Sequence, residues 1–167
     1  KFDPERFQTS IEISGYDIAA SIQHKVENEL PDAVVLGRRG LHGVAEMLMG
    51  SVSATMFKRC HDIPLWIIDG EVKDKDILVP VDGSPSSLMA VDHLAHILEG
   101  RKDIHIYLFH CSSLFSKTVK CNPEDYYDRW DKEWCDKHLS GKDCLFLGPK
   151  ELLRQAGIPD PKITILA

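Results

Sequence analysis

The sequence predicts an α/β fold whose core is an open parallel sheet with helices on both faces. Short apolar runs, such as residues 33–36 and 65–68, alternate with longer segments in which apolar residues recur every three or four positions. This alternation of strand and helix patterns is typical of a parallel sheet. Glycine follows two of the strand patterns closely, at Gly37 and Gly83, as expected where a strand turns sharply into a helix.

The first 70 residues predict the order strand, helix, strand, helix, strand. Residues 8–14 alternate between polar and apolar positions, which predicts a strand. Apolar residues spaced four apart then predict one buried face of a helix: Ile18, Ile22, Val26 and Leu30. Residues 33–36 are wholly apolar, which is typical of a strand buried on both faces. A helix over 51–60 and an apolar strand over 65–68 complete this part.

The remaining residues begin with a strand over 77–81. Ser84 is a favourable N-cap, and Pro85 suits the first position of the helix that follows. The buried stripe of that helix is predicted from its apolar spacing: Leu88, Val91, Ala95 and Leu98. Alternation over 104–109 and the apolar run 163–166 predict two more strands.

Between these last two strands, residues 112–143 are polar and weakly periodic. They predict a loop that leads into a variable helical region. Trp130 and Trp134 lie four residues apart and predict the packing face of a helix. A final helix carries Leu152 and ends at Gly157.

Composition limits the classes of function. The 167 residues suffice for one well-buried α/β domain or for pieces of two. A net charge of −6 without a basic stripe argues against a nucleic-acid partner, and no apolar run approaches the ~20 residues that span a bilayer. The five cysteines are odd in number and irregularly spaced, which favours reduced thiols and a cytoplasmic location.

The loop after residues 33–36 carries the strongest chemical signal. Gly37 and Gly40 lie at the end of the predicted strand, and Gly50-Ser51 opens the next helix. Glycines allow a ligand to approach the backbone, and a helix start offers free N–H groups and positive dipole charge. The pattern predicts a cradle for the phosphates of a nucleotide, although the glycines could instead only shape a tight loop.

These residues resemble the universal stress protein family, whose pattern Gly-x2-Gly-x9-Gly-Ser/Thr is matched by Gly37, Gly40, Gly50 and Ser51. The family's opening strand, which ends in Val-Pro-Val-Asp-Gly-Ser, is matched by residues 79–84. The resemblance implies a Rossmann-like fold of the adenine nucleotide alpha hydrolase type, with an open parallel sheet of five strands in the order 3-2-1-4-5.

The order of the parts departs from that of the family. Residues 1–70 resemble the C-terminal half of a family domain, strands 3 to 5. Residues 71–76 form a linker, and residues 77–167 resemble the N-terminal part, strands 1 to 3. This order fits the middle of a tandem two-domain protein. It also fits a circularly permuted domain or a swapped dimer, in which strands 1 and 4 would pair.

The resemblance also implies binding residues for ATP, with or without Mg²⁺. Its phosphates would lie against the four motif residues together with Val52 and Arg38, although an exposed arginine could equally be solvated. Asp82 would contact the nucleoside, and Val81 and Cys111 would pack against adenine. Whether Asp82 and Gly37 share one pocket stays open at this stage.

No catalytic constellation is evident, so the expected activity is that of a stress-response sensor or interaction module, with at most slow ATP hydrolysis. Two alternatives remain: a module of the same fold that binds no nucleotide, and an ATP pyrophosphatase-type enzyme. The expected partner is a second copy, paired through Leu65–Ile68 or by domain swapping. Six residues could suggest zinc, but no Cys-x2-Cys pair exists, so no metal site is predicted. The six are His110, Cys111, Cys121, Cys135, His138 and Cys144.

Overall fold

The computed structural model describes residues 4–11, 13, 15, 17–38, 49–61, 63–71, 75–111 and 120–166. The chain divides into two compact units, Lys1–Val72 (unit 1) and Lys73–Ala167 (unit 2). Each unit is an α/β assembly of parallel strands and helices. No helix in the described part of the chain is long and apolar enough to cross a membrane.

The described part of unit 1 contains two α-helices and two strands, which follow a short 3-10 helix, Pro4–Arg6. They are α1 (Ile18–Glu29), β1 (Val34–Gly37), α2 (Ser51–Arg59) and β2 (Leu65–Ile68). Asp17 begins α1 as its N-cap, because its carboxylate accepts a hydrogen bond from the Ala20 N–H at 2.9 Å. The two strands are parallel, so that Gly37 lies opposite Ile68 at the carboxyl end.

Two burial predictions for unit 1 are wrong. The face predicted to be buried on α1 is largely open, with Ile18 66% exposed and Ala19 the buried residue of the helix. Val35 of β1 is 65% exposed while Val34 is buried, so this strand is covered on one face and not on both. The reason is packing: α1 lies against α2, and in a sheet of two strands each helix finds little apolar surface to cover.

The predicted strand over 8–14 is also wrong for the residues that the structure describes there. Residues 8–11 and 13 belong to neither sheet, and Ile11 and Ile13 are fully exposed. Alternation favours an extended chain, but a strand forms only where a neighbouring strand accepts its hydrogen bonds.

Unit 2 contains a three-stranded parallel sheet in the order β3-β4-β5. The strands are β3 (Asp76–Pro80), β4 (His105–Phe109) and β5 (Ile163–Leu166), and the helices are α3 (Pro85–Ile97), α4 (Lys132–His138) and α5 (Cys144–Gln155). α3 and α5 pack together over the face that carries Ile106 and Leu108, both fully buried. This face is the centre of the core.

The predicted start of α3 is confirmed. Ser84 is the N-cap and accepts a hydrogen bond from the Ser87 N–H at 3.1 Å, and Pro85 takes the first helical position. All four members of the predicted stripe are buried: Leu88, Val91, Ala95 and Leu98. In the region predicted to be loop and variable helix, the described residues form a short 3-10 helix, Pro123–Tyr126, and then α4.

The single five-stranded sheet is a wrong prediction, because the described strands form two sheets of two and three strands. The pairs that do form, β1 with β2 and β3-β4-β5, follow the implied order 3-2-1-4-5. Each of these pairs is joined by a helical crossover, which brings neighbouring parallel strands together. Among the described strands, β1 and β3 belong to different sheets.

Candidate functional site

The turn from β1 into α2 is held by backbone and side-chain hydrogen bonds. The Ser53 hydroxyl donates to the Gly37 carbonyl at 2.7 Å, and the Gly50 N–H donates to the Arg38 carbonyl at 2.8 Å. These bonds fix the end of the strand beside the first turn of the helix. The two ends of the predicted phosphate motif, Gly37 and Gly50-Ser51, are therefore brought together.

The first turn of α2 has the character of an anion site. Gly50 is its N-cap in an extended conformation, and among the described residues no side chain caps the helix. Ser51 is exposed and Val52 half-buried at the first two helical positions. Because the first N–H groups of a helix have no partner within it, an uncapped start leaves donors and positive dipole charge for an anion.

Arg38 lies at the same turn. Its guanidinium forms an ion pair with Asp69, with 2.9 Å between Nη2 and Oδ2. Its Nε is buried and has no hydrogen-bond partner in the part of the chain that the structure describes. The turn therefore carries a guanidinium that is paired with a carboxylate. Gly40, the remaining motif glycine, lies outside the described residues.

The predicted nucleoside residues follow β3 in unit 2. Val81 is buried, and its N–H donates to the Phe109 carbonyl at 2.8 Å. Asp82 is exposed, and its Oδ1 accepts the Ser84 N–H at 2.9 Å. Gly83 has a φ of +75°, a left-handed conformation that glycine adopts without strain. Val81-Asp82-Gly83-Ser84, here called the Asp82 loop, thus presents a carboxylate at the carboxyl end of the sheet.

Two side chains hold the carbonyls on either side of Asp82. His110 Nδ1 lies 2.8 Å from the Val81 carbonyl oxygen, so this ring nitrogen carries the proton and donates. The Tyr126 hydroxyl donates to the Gly83 carbonyl at 2.5 Å. Sequence reasoning missed Tyr126 because it lies 43 positions from Gly83, and no local pattern indicates this contact. Cys111, predicted to face adenine, is exposed with a free thiol.

The hydrogen bonds of Asp82 make the free energy of unfolding depend on pH. The Ser84 side chain first, and its backbone N–H second, hold the pKa of Asp82 below 3.8. A carboxyl whose pKa is lower in the folded state stabilises the protein above its unfolded pKa, and this contribution is lost as pH falls through the folded pKa. We therefore expect the free energy of unfolding of unit 2 to decrease from about pH 4 downward, and the Asp82→Asn variant to lack that component.

Denaturant unfolding between about pH 2 and pH 6 measures the effect. The control is Asp128→Asn, which removes an exposed carboxyl outside the loop and should keep the acid dependence of the wild type. An Asp82→Asn variant with the acid dependence of the wild type would contradict the assignment.

The cysteines differ from the expectation of reduced thiols. Cys121 and Cys144 form a disulfide, with 6.0 Å between their Cα atoms, while Cys60, Cys111 and Cys135 are free. Irregular spacing concealed this pair, because 23 positions separate its members and only folding brings them together. Among the described residues, no three His, Cys, Asp or Glu side chains are grouped to hold a metal ion.

Comparison with known protein families finds a match that covers most of unit 1. Residues 3–68 match the model of the universal stress protein family. This segment belongs to that family. The matched universal stress protein segment contains β1, the glycine loop, α2 and β2, and hence the whole predicted phosphate cradle. The curated proteins and the solved structures gave no significant match. The likeness of unit 2 to the opening strands of the family stays a prediction.

Proposed function

We propose that this protein binds ATP or a related adenine nucleotide and acts in stress response as a sensor or interaction module. The observation that carries the proposal is the uncapped start of α2, placed beside the end of β1 within the universal stress protein segment. A glycine loop followed by a free helix N-terminus is suited to phosphate.

The phosphates are assigned to unit 1. The N–H groups of Ser51 and Val52 and the Ser51 hydroxyl would donate to them, and Gly37, Gly40 and Gly50 would leave room for close approach. The partly exposed guanidinium of Arg38 would add a charged donor. Mg²⁺, if it accompanies ATP, would neutralise phosphate charge.

The nucleoside is assigned to the Asp82 loop of unit 2, as a separate proposal. The pKa of Asp82 lies below 3.8, so its side chain is an ionised carboxylate at neutral pH. A carboxylate accepts hydrogen bonds from ribose hydroxyls. Val81 and Cys111 would supply contacts for adenine. Since Val81 is buried, its part would be to support the base pocket from beneath.

A second copy of the chain is the proposed protein partner, and the cytoplasm the proposed location. Within the described residues, β2 pairs with one strand only, and Ile68 at its end is exposed. An apolar edge strand favours pairing with another edge. Exposed Val35 on β1 and Leu78 on β3 support the alternative of a swapped pairing between copies.

The second candidate function is an interaction module of the same fold that binds no nucleotide. The ion pair between Arg38 and Asp69 favours it, because a guanidinium already neutralised by a carboxylate attracts phosphate less strongly. The same binding experiment separates the two candidates.

The test is Ser51→Glu, which places a carboxylate at the first position of α2. A negative charge there interacts favourably with the helix dipole, so the fold should be kept. The same charge repels phosphate, and we expect nucleotide affinity to fall by a factor of ten or more, equivalent to about 1.4 kcal/mol. Thermal unfolding of the full chain with and without ATP and Mg²⁺ measures both effects.

Ile18→Glu is the matched control. Ile18 is exposed at the first position of α1 in the same unit, so the substitution adds the same charge to a different helix start. It should leave the stabilisation by ATP unchanged. Full ATP stabilisation in Ser51→Glu would show that the cradle is wrongly assigned. Absence of any ATP effect on the wild type would favour the interaction module.

A further inference from the structure

A disulfide bond involves Cys121, which precedes Tyr126 by five positions in the sequence, and Tyr126 supports the Asp82 loop. Cys121 is disulfide-bonded to Cys144, the first residue of α5, and the Cys121 N–H also donates to the Cys144 sulfur at 3.1 Å. The short helix Pro123–Tyr126 follows Cys121 directly. The bond thus connects α5 in the core with the segment that carries Tyr126.

Tyr126 is the contact between that segment and the loop. Its ring is buried, and its hydroxyl donates to the Gly83 carbonyl, next to Asp82. The neighbouring tyrosine points elsewhere, since the Tyr127 hydroxyl donates to the Asp136 carboxylate at 2.6 Å. One tyrosine is therefore coupled to the loop and the adjacent one is not.

We propose that the Cys121–Cys144 disulfide is a redox control on the Asp82 loop, which holds the loop ordered through Tyr126 when it is formed and releases it when it is reduced. The loop depends on this support because the side chain that holds the Gly83 carbonyl comes from a segment 43 positions away. Without the disulfide, no covalent bond holds the Tyr126 segment to α5.

The chemistry is thiol–disulfide exchange with a small-molecule disulfide. The partly exposed Cys121 thiolate attacks one sulfur of that molecule and releases its first thiol. The Cys144 thiolate then attacks the Cys121 sulfur and releases the second thiol. Two electrons pass from the cysteine pair to the small molecule, and the two cysteine protons end on the released thiols. An excess of small thiols runs the exchange in reverse.

Amide hydrogen exchange of the full chain tests the coupling in the oxidised, reduced and reoxidised protein. We expect the Ser84 and Ser87 amides to exchange at least ten-fold faster after reduction and to recover on reoxidation. Amides of β4 at the centre of the sheet exchange through global unfolding, so they report the loss of overall stability of unit 2 and are the reference for the loop. Equal exchange at the loop in both states, or loop amides that exchange as slowly as those of β4 in the reduced protein, would overturn the proposal.

Two phenylalanine variants separate coupling from general stabilisation. In Tyr126→Phe the loop should exchange rapidly whether or not the disulfide is formed. Tyr127→Phe should respond to reduction like the wild type. A Tyr126→Phe variant that keeps the redox response of the wild type would overturn the proposal even if reduction alone gave the expected result.

The inference concerns the Asp82 loop, which is also the proposed nucleoside site. It rests on the proposed function only where it predicts an effect of reduction on ATP binding. ATP affinity, measured in the same two redox states, should fall on reduction. If amide hydrogen exchange at the loop depends on the redox state but ATP binds in neither state, the proposed function is refuted and the coupling between the disulfide and the loop is supported. If amide hydrogen exchange at the loop does not depend on the redox state, that coupling is refuted, whatever the ATP affinity.

Discussion

Met56→Ala is expected to lower the free energy of unfolding of unit 1 by about 2–5 kcal/mol. Met56 is 1% exposed on α2 and is the largest buried side chain among the described residues of unit 1. Truncation removes its apolar contacts and leaves a cavity that the surroundings fill only in part. Because α2 begins at Ser51, loosening of its packing should also weaken the phosphate cradle.

Phe57→Ala is the matched control, since Phe57 is the next residue on the same helix and is 63% exposed. It should change the free energy of unfolding by no more than about 0.5 kcal/mol. Denaturant unfolding of the full chain, followed by hydrogen exchange of the α2 amides, distinguishes the two. Equal effects of the two substitutions would mean that the core of unit 1 does not lie beneath Met56.

Reduction of the Cys121–Cys144 disulfide is expected to lower the free energy of unfolding of unit 2 by about 3 kcal/mol. The bond closes a segment of 23 positions, and its loss lets the unfolded chain gain conformational entropy. The effect should be seen as a lower denaturant midpoint when a thiol reductant is present. Unit 1 contains neither cysteine and should keep its midpoint.

Cys111→Ser provides the control for the cysteines that are not paired. Cys111 is exposed and free, so its replacement should leave the difference between oxidised and reduced protein unchanged. Cys121→Ser should abolish that difference. A denaturant midpoint of unit 2 that is insensitive to reductant would show that the disulfide adds nothing to its stability.

The two candidate sites, the start of α2 and the Asp82 loop, have the same local structure. In each, a parallel strand ends at a turn with glycine, and a helix begins immediately afterwards, at Ser51 and at Pro85. They differ in the cap: Ser84 caps α3 with its side chain, whereas Gly50 leaves α2 uncapped. This difference supports the assignment of phosphate to the first and of a carboxylate-lined contact to the second.

Local features of this chain were predictable from the sequence alone. The cap at Ser84, the proline at the start of α3 and its buried stripe depend on contacts within a few residues, and all three are present in the structure. The contact between the end of β1 and the start of α2 was predictable for the same reason, since the two lie near each other in the chain.

Features that depend on contacts between residues far apart in the sequence could not be predicted from local patterns. The alternation around Ile11 predicted a strand, but no neighbour pairs with the described residues there. The Cys121–Cys144 bond and the contact of Tyr126 with Gly83 join residues 23 and 43 positions apart, so spacing gave no indication of them.

The sequence by itself therefore determined the α/β class, the helix starts and the candidate phosphate loop, because these follow from short-range hydrogen bonding and apolar periodicity. Only the tertiary structure decided that the strands divide into two sheets, which faces are covered and which side chains support the Asp82 loop. The physical reason is that pairing, burial and cross-linking are interactions between segments, and one segment's sequence does not specify its partner.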